Sequence, residues 1–189
     1  MTKKEVVKSI HQSIIAGKTK QETFDILKDS CEFPLRKLAY IIKSIPTLKA
    51  KQKCRKFNIT LTILLTLTFW SKIVLGFVIV DENGIGWLPF ILIVLIVSLY
   101  LLIGVATYIP ESHKLVGTIN LIGLIVFFIT RIGAPFNLLI LFDEAITLLV
   151  IWIAFYLHLK LYPDYWVIKE RYQNSQGQIK NRDSYKFID

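Results

Sequence analysis

Most of what an enzyme needs is missing from this chain. Its 189 residues include two cysteines and three histidines. Cys31 and Cys54 fit neither a Cys-x-x-Cys redox motif nor a zinc pattern. Both lie in a segment expected to face a reducing compartment, where disulfides are not maintained. His11, His113 and His158 fall in different segments and outline no metal site. No P-loop and no Gly-x-Gly-x-x-Gly occurs, so no phosphate cradle is encoded. No Gly-x-Ser marks a nucleophile with its base, and inside the apolar runs the acidic clusters that hold a catalytic metal shrink to one pair, Asp143-Glu144. No catalytic, cofactor-binding or metal-ligating residue is assigned, and a non-catalytic role is expected.

Acidic residues are also few, 14 against 23 Lys and Arg. The imbalance is local. Residues 1–56 hold 14 basic and five acidic residues, a net charge of +9, and the rest of the chain nearly cancels. Basic residues ahead of a first membrane span resist translocation, and this accounts for the excess. A basic segment also attracts phosphate. With no nucleic-acid-binding motif beside it, binding to nucleic acid is not expected.

What the chain has in abundance is apolar length. Phe57–Val80, Ile85–Ile109, Lys114–Phe136 and Asn137–Tyr162 are each about long enough for a helix to cross a hydrocarbon core of roughly 30 Å. A helix satisfies its own backbone polar groups, so it is the spanning structure that these runs allow. The first run starts behind a charged segment, unlike a cleaved signal peptide, so the first span is expected to be retained. The loop Asp81-Glu82-Asn83-Gly84 has no Lys or Arg and suits the outside. Lys169, Arg171, Lys180, Arg182 and Lys186 lie in the tail after Tyr162. Four spans return the chain to its starting side, so both termini are expected in the cytoplasm.

Ahead of the spans the pattern predicts three short helices. Val6, Val7, Ile10, Ile14 and Ile15 recur at helical spacing, and Gly17 follows as a C-cap. Thr19-Lys20-Gln21-Glu22 is a capping-box signature. Pro34 suits a first helical turn, and Pro46 stops the third helix before it. Three such helices have a marginal core and need a partner, an oligomer or the membrane. The basic stretch Leu48–Lys56 continues as helix into the first span and is expected to meet anionic head groups. After Tyr162-Pro163 the tail carries Tyr165, Trp166 and Tyr172, aromatics suited to the head-group zone. Turn chemistry at Asn174-Ser175-Gln176-Gly177 leaves two readings open, a hairpin or a surface helix followed by a disordered end.

The helical module, the break at Ile45-Pro46, the basic run Lys49–Lys56 and the stretch Ala16-Gly17-Lys18-Thr19-Lys20-Gln21-Glu22-Thr23 resemble small bacterial inner-membrane proteins of unknown function. The likeness covers about the first 60 residues and implies residence in a bacterial inner membrane. The overall plan also looks like that of multi-span membrane accessory proteins encoded beside RNA-guided defence nucleases.

Charges inside the spans are the candidate functional residues: Lys72, Arg131, Asp143 and Glu144. An ion at mid-membrane costs at least about 2.5 kcal/mol, so these four are expected to share a layer in the outer half of the bilayer. Three readings stay open. The layer is an ion-paired orienting device, or Arg131–Glu144 is an external interfacial loop, or Asp143 and Glu144 line an ion or proton pathway. Gly133-Ala134-Pro135 breaks the chain between the last two spans, and Asn120 and Ser98 are candidates for a bond across helices.

The resulting expectation is an all-α protein. Residues 1–56 form a basic three-helix cytoplasmic module, 57–162 a four-helix transmembrane domain, and 163–189 a cytoplasmic tail. Its role is that of an accessory or effector that contacts membrane lipids, a protein partner at the cytoplasmic face and further copies of itself, without a cofactor. The alternative is a small oligomeric channel or transporter that uses the outer-half charges.

Overall fold

The computed structural model describes residues 3–30, 34–130, 138–173 and 179–187. Helix predominates, and four helices are long and apolar enough to cross a membrane: candidate spans are Leu48–Val74, Ile85–Ala106, Pro110–Ile129 and Glu144–Leu161. The chain forms two compact units, one from Met1–Lys53 with Leu159–Asp189, the other from Cys54–His158.

The first unit begins with α1 (Lys3–Ile15), α2 (Lys20–Lys28) and α3 (Leu35–Ser44). Gly17 ends α1 with φ 83°, a left-handed conformation that glycine adopts without steric cost. The capping box forms. Thr19 N–H donates to the Glu22 carboxylate (2.8 Å), and Glu22 N–H donates to Thr19 Oγ1 (3.1 Å). α3 ends at Ser44, with Ile45 extended ahead of Pro46. Lys20 is buried, and its ammonium donates to the Lys43 carbonyl in the last turn of α3 (2.9 Å), where the helix end favours a cation.

The backbone hydrogen bond from Thr19 holds the Glu22 carboxyl below its ordinary value of 4.5, and the Lys28 ammonium lowers that of Asp25. A carboxyl lowered by folding stabilises the folded state above its unfolded pKa, and that contribution is lost as pH falls through the lower folded value. Thr19→Ala is expected to cost the unit about 1 kcal/mol of stability at neutral pH. It should weaken the loss of stability below the ordinary carboxyl range only in part, because the Thr19 backbone N–H that chiefly lowers the Glu22 carboxyl survives the change. Hydrogen exchange of α2 followed against pH checks both.

The tail completes this unit. β1 (Tyr165–Gln173) pairs antiparallel with β2 (Ile179–Phe187), Tyr165 opposite Phe187 and Gln173 opposite Ile179. The hairpin reading therefore holds, while the turn residues Asn174–Gly177 lie outside those described. Tyr185 and Phe187 are buried in one core with Val6, Ile10, Ile14, Phe24, Leu27, Leu38 and Ile42. Phe24 meets the rings of Tyr185 and Phe187, each at 5.8 Å between centroids. Tyr165 is partly buried and packs on the same two rings at 5.4 and 5.6 Å, against the edge of this core. Phe187 N–H donates to Gln21 Oε1 (3.0 Å), and Lys43 pairs with Asp164. The helices thus share their core with a β-hairpin from the other end of the chain.

The spans follow from α4 (Leu48–Asn83), α5 (Leu88–Ala106), α6 (Pro110–Thr130) and α7 (Leu138–Leu161), with a 3-10 turn at Ile85–Trp87. Thr47 caps α4 by accepting from Ala50 N–H (3.2 Å). With 36 residues, α4 is about 54 Å long, more than the hydrocarbon requires, so its basic first turns need not be buried in lipid.

In the second unit each helix meets the next across a glycine. Gly76 of α4 lies against Ile91 of α5, Gly104 of α5 against Ser112 of α6, and Gly117 of α6 against Phe155 of α7. A Cβ on these glycines would stand 2.7, 1.8 and 3.0 Å from its neighbour. Membrane helices lack a hydrophobic drive to associate, and close approach over small residues supplies the packing instead. The α5–α6 turn closes as a Schellman motif: Tyr108 N–H donates to Val105 O (3.2 Å) and Ile109 N–H to Gly104 O (2.8 Å). Tyr108 occupies the left-handed position, φ 61°, where glycine is usual.

Candidate functional site

The second unit buries two polar side chains that the sequence does not connect. Asn58, near the start of the first apolar run, is 3% exposed, and His113, in the first turn of α6, is fully buried. Asn58 Nδ2 donates to the Val105 carbonyl near the end of α5 (3.2 Å), which leaves its Oδ1 facing His113 Nε2 at 2.8 Å. The tautomer with hydrogen on Nε2 satisfies that contact. His113 Nδ1 stands 3.3 Å from the Ile109 carbonyl. One amide thus ties α4 to α5 and α6. His158 of α7 lies within electrostatic range of His113.

This arrangement has the chemistry of a structural tie. Ser112 Oγ, one residue from His113, has no hydrogen-bond partner among the described residues and is packed against Gly104. No group of three or more His, Cys, Asp or Glu able to hold a metal occurs among the described residues. Replacing Asn58 by Ala strands a buried carbonyl and a ring N–H. Interhelical bonds of this kind contribute about 0.6–2 kcal/mol each. Asn58→Ala is therefore expected to lower stability by about 1–3 kcal/mol, and Asn58→Ala with His113→Ala by less than the sum of the single changes. Unfolding of the detergent-solubilised protein measures the coupling.

The candidate charges fare differently from one another. Lys72 Nζ donates to Ser98 Oγ (3.1 Å) across α4 and α5, and that hydroxyl donates in turn to Val94 O (2.7 Å). Arg131 lies outside the described residues, as does Gly133-Ala134-Pro135. Asp143 and Glu144 fall in the second turn of α7, which begins at Leu138. Residues 138–144 are helical, and the candidate span on α7 runs from Glu144 to Leu161. Asn120 does not reach Ser98: its Nδ2 donates to Val116 O within α6 (2.8 Å). Cys54 is buried, while Cys31 lies outside the described residues. Trp152 stacks on Tyr156 (5.6 Å, 18°) and meets Phe57 of α4 edge-on, so it packs helices together as well as facing outward.

The Asn58–His113 pair was invisible in the sequence. The two residues are 55 positions apart, each at the edge of an apolar run, and only the rotation of α4 against α6 brings them together. No protein-family model matches the chain, and neither a curated protein nor a solved structure shows detectable similarity to it.

Proposed function

We propose that the protein is a non-catalytic membrane accessory or effector of the bacterial inner membrane. Its four spans associate with those of further copies, and its terminal unit contacts a protein partner on the cytoplasmic side. The observation that carries this reading is a compact unit assembled from both chain ends, with its own aromatic core. An anchor alone needs no such core. Two ends that fold together must lie on one side of the membrane, in keeping with four spans. The +9 carried by residues 1–56 favours the cytoplasm for that side. Gly123 on α6 faces open space, a small-residue position suited to close approach by another helix.

The channel or transporter reading retains one specific support, the Lys72–Ser98 contact inside candidate spans. Two measurements separate the readings. Mass determination of the detergent-solubilised protein is expected to give a multiple of the chain mass, and a monomer would sink the oligomer. Ion flux into vesicles carrying the purified protein is expected to match empty vesicles. Flux that Lys72→Met abolishes would favour conduction.

A further inference from the structure

Trp166, Ile168 and Lys186 are exposed on one face of the hairpin. Cross-strand register sets Trp166 opposite Lys186 and Ile168 opposite Ser184, and the next two pairs are Glu170 with Arg182 and Tyr172 with Lys180. Trp166 is 65% exposed and Ile168 42%, and Lys186 is exposed beside them. The alternate positions Tyr165, Tyr185 and Phe187 pack in the core. At the Tyr165–Phe187 end of the hairpin the two-residue period thus sets an aromatic core face against exposed Trp166 and Lys186, while farther along Val167 and Lys169 are exposed on the core-side register as well.

An exposed indole beside an exposed ammonium is poorly served by water and well served by a membrane surface. There the ring lies at head-group level and the cation meets lipid phosphate. The chain also delivers this face to such a surface. Leu161 ends both α7 and a candidate span, and Trp166 follows five residues later, so it lies at most about 17 Å away. The head-group zone occupies roughly 5–8 Å beyond the hydrocarbon on each side. The basic run Lys49–Lys56, just ahead of the first apolar run, adds positive charge at another span end.

We propose that the outer face of the β1–β2 hairpin, centred on Trp166, Ile168 and Lys186, docks on anionic phospholipid head groups of the leaflet at the end of α7. This goes beyond the accessory reading and needs only that the four apolar helices span a bilayer. The full-length protein is reconstituted in vesicles of phosphatidylcholine alone and of phosphatidylcholine with one-third phosphatidylglycerol. Acrylamide quenching is then measured for the wild type and for Trp166→Phe, and the difference isolates Trp166. Quenching of Trp166 is expected to fall about threefold or more in the anionic vesicles, and to recover in high salt as the surface potential is screened. Lys186→Glu should abolish most of that protection. Modification of Lys186 in the wild type by a water-soluble acylating reagent requires no variant and should be suppressed in the anionic vesicles alone. Equal quenching and equal Lys186 modification in the two compositions would overturn the proposal. So would protection that appears only when an RNA oligonucleotide or a second protein is added.

Discussion

Removing residues 163–189 is expected to unfold α1–α3 while leaving the four spans folded. The truncation takes Tyr165, Tyr185 and Phe187 out of a core in which Phe24 touches two of their rings. It also removes the Phe187–Gln21 hydrogen bond and the Lys43–Asp164 ion pair. Truncating one buried Phe to Ala costs about 3–5 kcal/mol, and a whole domain is stable by only about 5–15 kcal/mol. Losing three aromatic anchors therefore exceeds what three short helices hold in reserve. Phe187→Ala alone should bring the unit close to its unfolding threshold. Hydrogen exchange of the solubilised protein, with and without the tail, reads the outcome helix by helix. Protected α1–α3 amides after truncation would show that the helices need no hairpin.

Gly104→Val is the substitution expected to damage the membrane unit most. Even the first carbon of its side chain would stand 1.8 Å from Ser112 Oγ and 2.6 Å from Ser112 Cβ. Ser112 is buried in the first turn of α6 and cannot swing clear, so the two helices must separate. Overpacking typically costs about 1–3 kcal/mol and sometimes more. Here the strain falls on a turn that already holds Tyr108 in the left-handed region. Separation would also move Val105 O and His113, two of the groups held by Asn58. Thermal unfolding and monodispersity in detergent should both deteriorate for Gly104→Val and, to a smaller degree, for Gly104→Ala. Ser112→Gly, which removes the obstructing Cβ and hydroxyl, should restore much of the loss in the Gly104→Ala background. A Gly104→Val protein that melts like the wild type would show that α5 and α6 are not in this contact.

Local chemistry in the sequence reads directly into the structure. The Thr19–Glu22 capping box, Gly17 as a helix terminator, the stop before Pro46 and the four apolar runs depend on neighbours within a few residues, and each is observed. The unit boundaries are harder to read, because they depend on contacts between the chain ends. Tyr165 and Phe187 alternate as a core strand does, yet an aromatic just beyond a span fits the head-group zone equally well. Only the rings of Tyr185 and Phe187, themselves packed on Phe24 more than 140 residues back in the chain, decide between them. The candidate site shows the same limit. A lysine or a carboxylate in an apolar run is conspicuous, whereas an asparagine and a histidine at the edges of two runs are not. Lys72 stands out within its apolar run, but its hydroxyl partner Ser98 depends on how α4 and α5 are turned about their axes.

The chain's organisation rests on its two ends folding together, and the Lys43–Asp164 ion pair, 121 positions apart, reports on that without any substitution. A carbodiimide joins an ammonium to a carboxylate only where the two are already in contact. Treating the membrane-embedded protein and mapping the linked peptides should reveal a Lys43–Asp164 amide within one chain. It should appear beside the local Lys28–Asp25 amide, whose groups lie 2.8 Å apart and serve as an internal standard. If Lys28 and Asp25 are joined while Asp164 is never joined to Lys43, the hairpin does not sit on the amino-terminal helices, and a terminal unit built from both ends of the chain does not exist.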